Sequence, residues 1–481
     1  MSKGLTIVIV GAGFCGLTAA IECKLRGMNP ILLEAYPTSR NQGDVLDFMH
    51  NGGRHINAWD NGSVGEKLLK SGVHTAKTLN YFSSQGSLLL KEPWIFHDEH
   101  NFTQFAGHRG LQHSIIADYA EDIGVDMRFG TEFTVTEYLD NEKETGVITK
   151  GGQKILGDVV LACDGPRSLA REKVLGQPDN KVNSGYAIYR AWYDLTDEHR
   201  KIPQIARFCN PDEDQAAMLL GKNMHAFVYT WGGATQLAWV LTHKDEADIG
   251  ESWSFPGDLN EALKHIEEGG FSNTLTEIAL NTPKDRLVDY KLVWRDPIPT
   301  WLSKSNKLAV MGDAAHCHLP TSAQGACQAV EDAVCMASCL QNAEGDVQLA
   351  LQVFGRIRFN RSHVIHMSSI SNRDAAHSTD WTPELAAKLP DSVSIPHDDW
   401  IIEYDVAEET EKHFSRIAEE VMSGKQGTIE ELSLPAGGSF AVLDEIKNRK
   451  DEPKGPILET INKQEQKQAA TQTINITPAL D

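Results

Sequence analysis

The sequence predicts a two-domain α/β fold, a parallel-sheet domain interrupted by a mostly antiparallel one, with a helical and partly disordered C-terminus. Three observations carry that expectation. An apolar run at residues 7–10 opens directly into Gly11-Ala12-Gly13-Phe14-Cys15-Gly16 and a helical pattern. Alternating apolar and polar residues then mark strands at 186–193, 225–231 and 236–241. A second apolar run, 308–311, returns with its own glycine-bearing loop and a long helix of small residues at 325–340. Short unbroken apolar runs suit parallel strands buried on both faces, whereas alternation suits antiparallel strands with two unlike faces.

Length and composition bound the reading further. At 481 residues the chain is too long for one compact core, so about two domains are expected. The formal net charge of −22 argues against a nucleic-acid partner or an anionic membrane surface, because both need a basic footprint. Eight cysteines (15, 23, 163, 209, 317, 327, 335 and 339) form no C-x-x-C pair and no zinc spacing, which reads as small core hydrophobes in a reducing compartment. His316 and His318 flank Cys317, but no ligand set accompanies them, and no metal is expected. The apolar run at residues 5–10 is too short to cross a membrane and flows into glycines rather than a cleavage site. A cytoplasmic protein with no membrane segment is the expectation, with its oligomeric state open.

Element by element, residues 7–10 form the first strand, 17–25 carry helical periodicity, Gly27 stops that helix and 30–34 form the second strand. A polar, glycine-bearing stretch follows from Arg40 to about Gly65. Residues 108–124 read as a helix ending in Gly, 125–129 as a strand, and 135–161 as short strands around a Gly151-Gly152 turn. The domain boundaries follow: a dinucleotide-binding domain at 1–180 and 291–375, an inserted sheet domain at 181–290, a helical region at 376–432 and a tail at 433–481. The tail is rich in Lys, Glu, Gln and Thr, with too few large apolar residues to order itself.

The glycine loop carries the first chemistry. Gly-x-Gly-x-x-Gly is weak alone, but here a strand precedes it, a helix follows, and Glu34 ends the next strand. Gly11 permits the tight turn, Gly13 lets the backbone approach a pyrophosphate, and Gly16 lets helix and strand pack closely. The helix N-terminus offers N–H groups and a positive dipole to the phosphates. Glu34 can accept hydrogen bonds from ribose hydroxyls. This Rossmann-like unit leaves FAD and NAD both open.

A second constellation is Met311-Gly312-Asp313-Ala314-Ala315-His316 after a strand, followed by Pro320-Thr321-Ser322-Ala323-Gln324-Gly325-Ala326 before a helix. A carboxylate at a strand end can hold a polyol hydroxyl, and amides near Gly325 and Ala326 can stabilise negative charge on a flavin N1–C2=O edge. With these residues the chain resembles the class A flavoprotein monooxygenases, the salicylate-hydroxylase-like and p-hydroxybenzoate-hydroxylase-like group. That resemblance implies FAD, with Asp313 on the ribityl chain and Pro320, Gly325 and Ala326 bordering the isoalloxazine. Cys163-Asp164-Gly165-Pro166-Arg167-Ser168-Leu169-Ala170-Arg171 is similar to the family's Asp-Gly-x-x-Ser-x-x-Arg, which implies that Asp164 and Gly165 serve FAD and NAD(P)H binding. His108-Arg109-Gly110-Leu111 matches His-Arg-x-x-Leu, which implies that Arg109 reaches the cofactor. Arg295-Asp296-Pro297 and Trp301 resemble a further family pattern. The likeness covers residues 5–375 and, more weakly, 400–405.

In one departure, Gln42-Gly43-Asp44-Val45 stands where bacterial relatives often carry Gly-Ala-Gly. Gly43 still offers backbone access to the cofactor. Asp44 and Asp47 read as solvated loop carboxylates or, alternatively, as an acidic partner in substrate protonation. No second glycine loop follows residue 100, so NADPH or NADH is expected to bind transiently, reduce the flavin and leave.

The substrate is expected between flavin and inserted sheet. Arg190, amid aromatics on the strand entering that sheet, needs a partner. Fungal family members, hydroxylases and epoxidases of secondary metabolism, resemble the chain there, which implies that Arg190 contacts or protonates substrate; a structural ion pair is the alternative. Tyr229 matches the Tyr of a family Tyr-Pro-x-Arg strand with Thr230 in place of Pro, and either orients a phenol or packs the core. His225 and Trp239 are expected to line the sheet. The resemblance implies an NAD(P)H- and O2-consuming monooxygenase acting through a flavin C4a-hydroperoxide on a small aromatic, indole-bearing or polyketide-like substrate. Aromatic hydroxylation is the first expectation and epoxidation of an indole or prenyl group the second, with a flavin oxidase or dehydrogenase that inserts no oxygen as the other class.

Overall fold

The computed structural model describes residues 4–37, 45–71, 73–94, 103–245, 255–295, 298–318, 320–378, 380–395 and 399–425. Gly43, Asp44, Asp296, Pro297 and the expected tail at 433–481 lie outside the described residues.

Five parallel strands form the first sheet, in the order Leu308–Val310, Val159–Ala162, Thr6–Val10, Asn29–Glu34 and Asp126–Phe129. Their near-continuous apolar sequences follow from helices covering both faces: Ile7, Val8, Ile9, Val160, Leu161, Leu308 and Ala309 are fully buried. The helix Phe14–Leu25 leaves the first strand at the glycine loop and packs along the small-residue helix Gly325–Asn342. Cysteines 15, 23, 163, 327, 335 and 339 are buried, and all eight are free thiols.

The second sheet has eight strands, in the order Phe255–Pro256, Val288–Arg295, Lys181–Asp194, Gln236–Lys244, Met224–Trp231, Ala216–Gly221, Thr78–Ser83 and Leu88–Pro93. It is antiparallel except where Ala216–Gly221 runs parallel to Thr78–Ser83. Residues 78–93 carried no strand expectation, yet they form a local antiparallel hairpin, Thr78–Ser83 with Leu88–Pro93, whose inner strand joins the sheet through Ala216–Gly221, more than a hundred residues away. Register sorts the side chains onto two faces. Tyr189, Ala191, Val228, Trp239 and Leu241 face the helices Leu259–Glu268 and Asn273–Leu280. Trp192, Phe227, Tyr229 and Trp231 occupy the other face.

The structure departs from the sequence reading between residues 45 and 71. In place of a plain polar stretch it forms the strand Val45–Phe48 and the helices His50–Ala58 and Ser63–Ser71. Asn51, Gly52 and Gly53 are poor helix formers, but close packing requires the two glycines. A Cβ on Gly52 would lie 3.1 Å from the Cys327 Cα, and one on Gly53 would lie 2.7 Å from the Thr103 oxygen. Tertiary contact overrides propensity here.

Beyond the parallel sheet the chain is helical, with a long helix Val347–Ser378, short ones at Pro383–Lys388, Pro390–Val393 and Asp399–Ile402, and a last helix Val406–Met422. Trp381, Ala386 and Val393 cover the aromatic face of the large sheet. Among the described residues no helix is long and apolar enough to cross a membrane.

Candidate active site

The glycine loop divides its labour as the motif requires. A Cβ on Gly11 (φ +99°) would lie 2.3 Å from the Cys163 oxygen, and one on Gly16 only 1.9 Å from the Gly11 oxygen. Backbone fills both positions. Gly13 instead faces open space and precedes the helix Phe14–Leu25, whose first turn has no side-chain cap and no acid. Its amides and dipole remain available to an anion. Glu34 is locked beside this loop, Oε2 accepting from the Ala12 amide (2.8 Å) and Oε1 from the Tyr36 amide (2.9 Å). Each oxygen retains a lone pair for a ribose hydroxyl.

Arg109 opens the helix Arg109–Asp122, which His108 caps by accepting from the Gly110 and Leu111 amides through Nδ1. The guanidinium lies 5.4 Å over the Phe14 ring, while His113 Nε2 reaches the Ala12 oxygen at 2.6 Å. Asp164 follows the strand Val159–Ala162 directly below Gly11. Its Oδ2 accepts from the Tyr138 hydroxyl (2.9 Å) and the Leu169 and Ala170 amides, but Oδ1 is buried with no partner. Gly165 (φ +78°) opens onto free space. Arg171 bolts this segment to the next by donating to the Ala314 and Pro166 oxygens.

Asp313 sits in the turn Gly312–Ala314. Gly312 (φ +58°) rests on the first turn of the glycine-loop helix, where an added Cβ would meet the Cys15 Cβ at 2.9 Å. Asp313 is exposed to solvent, but protein atoms crowd its carboxyl. That desolvation raises its pKa, opposed by His316, Arg109 and Arg295, so the Arg109 charge is brought to bear on Asp313. Arg295 itself pairs with Asp179 at 2.7 Å. Pro320, exposed, begins the turn Pro320–Ser322. Ala323 is left-handed (φ +51°), and Gly325 and Ala326 then start a helix without a side-chain cap, Gly325 facing open space.

The residues present fit FAD. Two uncapped helix N-termini, open glycine positions at 13, 165 and 325, and an orphaned buried Asp164 oxygen leave donors, space and an acceptor unmet by protein.

Arg190 and Tyr229 share the aromatic face of the large sheet. Arg190 is level with Val240 and Phe227; Tyr229 lies one rung on, level with Ala238 and Trp192. Both are buried. Tyr229 stacks on Phe227 (centroids 5.6 Å apart) and also touches Trp94 and Trp231. This face reaches the cofactor cradle where Trp192 meets His108 at 4.4 Å, one residue before Arg109. His225 is on the same face and shares a 2.7 Å hydrogen bond with His377, burial lowering its pKa to about 4. Trp239 is on the opposite face and donates to Thr282.

Asp47 corrects an expectation. It is no solvated loop carboxylate but a partly buried residue of the strand Val45–Phe48, accepting from Gln104 Nε2 at 2.5 Å through Oδ2 and leaving Oδ1 without a partner. Burial raises its pKa to about 7. Sequence reasoning also missed Asn51, Gln324, Glu331, Asp332, Arg358 and Arg361, a buried polar network beneath the 312–326 region. Adjacent acids inside an otherwise apolar helix were the available signal. Among the described residues no cluster of His, Cys, Asp or Glu could hold a metal ion.

Comparison with known proteins agrees with this geometry. Residues 5–264 and 300–346 match the family model described as FAD binding domain. The FAD-dependent monooxygenase nanF of Aspergillus nanangensis is 32% identical over 93% of this chain and 96% of its own. Asperlicin C monooxygenase of Petromyces alliaceus is 30% identical over 86% of this chain and 89% of its own. The crystal structure of CtdE in complex with FAD and a substrate superposes with a TM-score of 0.80 at 29% identity, covering 87% of this chain and all of that one.

Two outcomes follow from the site. Asp313→Ala should weaken FAD binding by roughly tenfold to a hundredfold, the worth of a hydrogen bond to a charged group. Flavin absorbance per protein after purification measures it, and an unchanged ratio would count against the assignment. Asp47→Asn tests the raised carboxyl. Because the fold favours the protonated form, stability present near pH 4 is lost as pH rises through about 7. The variant should therefore gain thermal stability over the parent at about pH 8 and little at about pH 4. An equal effect at both would refute the burial argument.

Proposed function

The chain belongs to the FAD binding domain family as an FAD-dependent monooxygenase of the class A type, and from that premise we propose that it uses NADPH or NADH and O2 to hydroxylate an aromatic small molecule. The balance is one O2, one NAD(P)H and one proton in, one oxygen atom placed on the substrate and one water out. FAD, when bound, supplies the redox and oxygen chemistry.

The observation that carries this reading is the joining of two surfaces. The cradle of Gly13, Glu34, Arg109, Asp164 and Asp313 meets, at the His108–Trp192 contact, a sheet face that holds a buried guanidinium among aromatic rings. In the proposal, Trp192, Phe227 and Tyr229 give a flat substrate its apolar walls. Arg190 holds a carbonyl or phenolate oxygen, and the Tyr229 hydroxyl fixes the ring's orientation. Asp47 pairs with Ala106 across the strands, and Ala106 and Val45 pack in the same cluster as Tyr229. A carboxyl poised near neutrality on that side is suited to giving or taking the substrate proton. Trp381, Ala386 and Val393 cover the face and keep water from the reaction. Gly43, beyond the described residues, retains its proposed place at the cofactor.

A relative named for asperlicin C, and a structure holding FAD together with a substrate, support a discrete secondary-metabolite substrate for this chain. The same walls accommodate an indole, so epoxidation of an indole or prenyl group is the second outcome to look for. Free thiols throughout support a reducing, cytoplasmic setting.

The test is oxidation of NADPH or NADH in air with a panel of phenolic, indole-bearing and prenylated compounds, read by mass spectrometry. Substrate-stimulated reductant consumption with a product heavier by one oxygen atom is expected; hydrogen peroxide alone with every compound would sink the proposal. Arg190→Ala should retain FAD yet lose roughly a hundredfold in turnover, the usual cost of mispositioning a substrate. Tyr229→Phe should lose about tenfold in kcat/KM, one hydrogen bond's worth. Parent rates in either variant would remove that residue from the site.

A further inference from the structure

We propose that Asn51, Gln324 and Glu331 form a buried positioning relay that sets the amides of residues 325 and 326 against the flavin and ties them to the C-terminal segment 400–405. The proposal rests on the FAD reading above.

Gln324 precedes the helix Gly325–Asn342 but does not cap it; its side chain, fully buried, turns inward. Oε1 accepts from Asn51 Nδ2 at 2.8 Å and from Gln328 Nε2 at 3.3 Å, while Nε2 reaches the Met49 sulfur at 3.2 Å. Asn51 spends the other hydrogen of the same amide on Glu331 Oε1, 2.6 Å away. A flipped amide would set its oxygen against that carboxylate, so orientation is enforced. Asn51 Oδ1 is left without a partner. Glu331 is filled by Arg361 on both oxygens (2.9 and 3.0 Å), by Gln328 and by Arg358. Arg361 in turn donates to the Trp400 and Ile401 oxygens at 2.7 and 2.8 Å and lies 3.7 Å over the Tyr404 ring.

Two features show that the turn needs holding. Ala323 is left-handed, a conformation that a non-glycine residue keeps only when its surroundings impose it. The amides that follow have no side-chain cap, and Gly325 faces open space. Inward-directed Gln324 bonds therefore anchor the start of the helix from within and leave its first-turn donors free for a ligand. A purely structural network would alter only stability when broken. A positioning network also alters how well the amides meet negative charge on reduced flavin.

The test uses the full chain loaded with FAD, with Asn51→Leu and Gln324→Met, both of which remove the bonds while keeping side-chain bulk. Each should weaken FAD binding about tenfold and shift the flavin midpoint potential to a more negative value, with the double variant close to either single one because the bonds form one chain. Thr282→Val, which breaks the buried Trp239 bond on the far face of the large sheet, should lower the melting temperature and leave the potential unchanged. Should either relay variant fail to fold, Gln324→Asn, too short to reach Asn51, carries the same expectation. Parent affinity and potential in the variants, or simple additivity in the double, would overturn the relay while leaving the cofactor reading intact. A parent chain that takes up no FAD at all would overturn both.

Discussion

Arg358 lies between two adjacent carboxylates in the middle of the molecule, and the rest of the site depends on that contact. Glu331 and Asp332 are neighbours on the helix Gly325–Asn342, and neither they nor Arg358 reach solvent. Burial alone would raise the Glu331 carboxyl; Arg361 and Arg358 outweigh it and hold it near pKa 2. Burial likewise opposes ionised Asp332, and His316 and Arg358 outweigh it. Desolvation makes such an arrangement tolerable only when every charge is paired, and removing one partner of a buried pair costs about 3–5 kcal/mol. The two acids then act in different directions. Asp332 holds the Gly312 amide at 2.9 Å and His316 at 2.6 Å, fixing the turn that carries Asp313. Glu331 braces Asn51, Gln324 and, through Arg361, the segment 400–405.

Around that brace the chain brings together residues from distant stretches. The glycine loop, Asp164 and Asp313 stand at the ends of three adjacent parallel strands, the place where open α/β sheets bind ligands. The large sheet approaches from the other side with an aromatic face, and the C-terminal helices cover that face. In the proposed reading, a cofactor held by the first surface is presented to a substrate held by the second. The cradle is made mostly of backbone and short turns, whereas the substrate face is made of side chains, which suits a family that keeps one cofactor and varies its substrates.

The two surfaces differ in how far the sequence reveals them. The glycine loop, Glu34 and Asp313 could be singled out because their constraints are local, a turn that excludes Cβ and carboxylates at strand ends, whereas Arg109 was singled out by its resemblance to the family's His-Arg-x-x-Leu. The inner parallel strands were legible as short apolar runs. Asn51 was not, since Asn-Gly-Gly reads as a turn until the Cys327 backbone is seen packed against it. Glu331 and Asp332 stand out only as acids in an apolar helix, which does not name their partners, since the two arginines come 27 and 30 residues later. Asp47 was misjudged as a loop group because its strand pairs with Phe105–His108, remote in sequence. The strands carrying Arg190 and Tyr229 followed from alternation, but the face they share depended on the pairing register, and the placement of His377 beside it on a helix crossing from the other end of the chain.

The central claim is that this chain inserts one atom of O2 into a substrate seated on the Arg190 face. Turnover under isotopically heavy O2 in ordinary water, with the product examined by mass spectrometry, tests it most directly. One heavy oxygen atom per product molecule is the result the account predicts. Product oxygen drawn from water, or oxidised product with no added oxygen and all the label in peroxide, would contradict it.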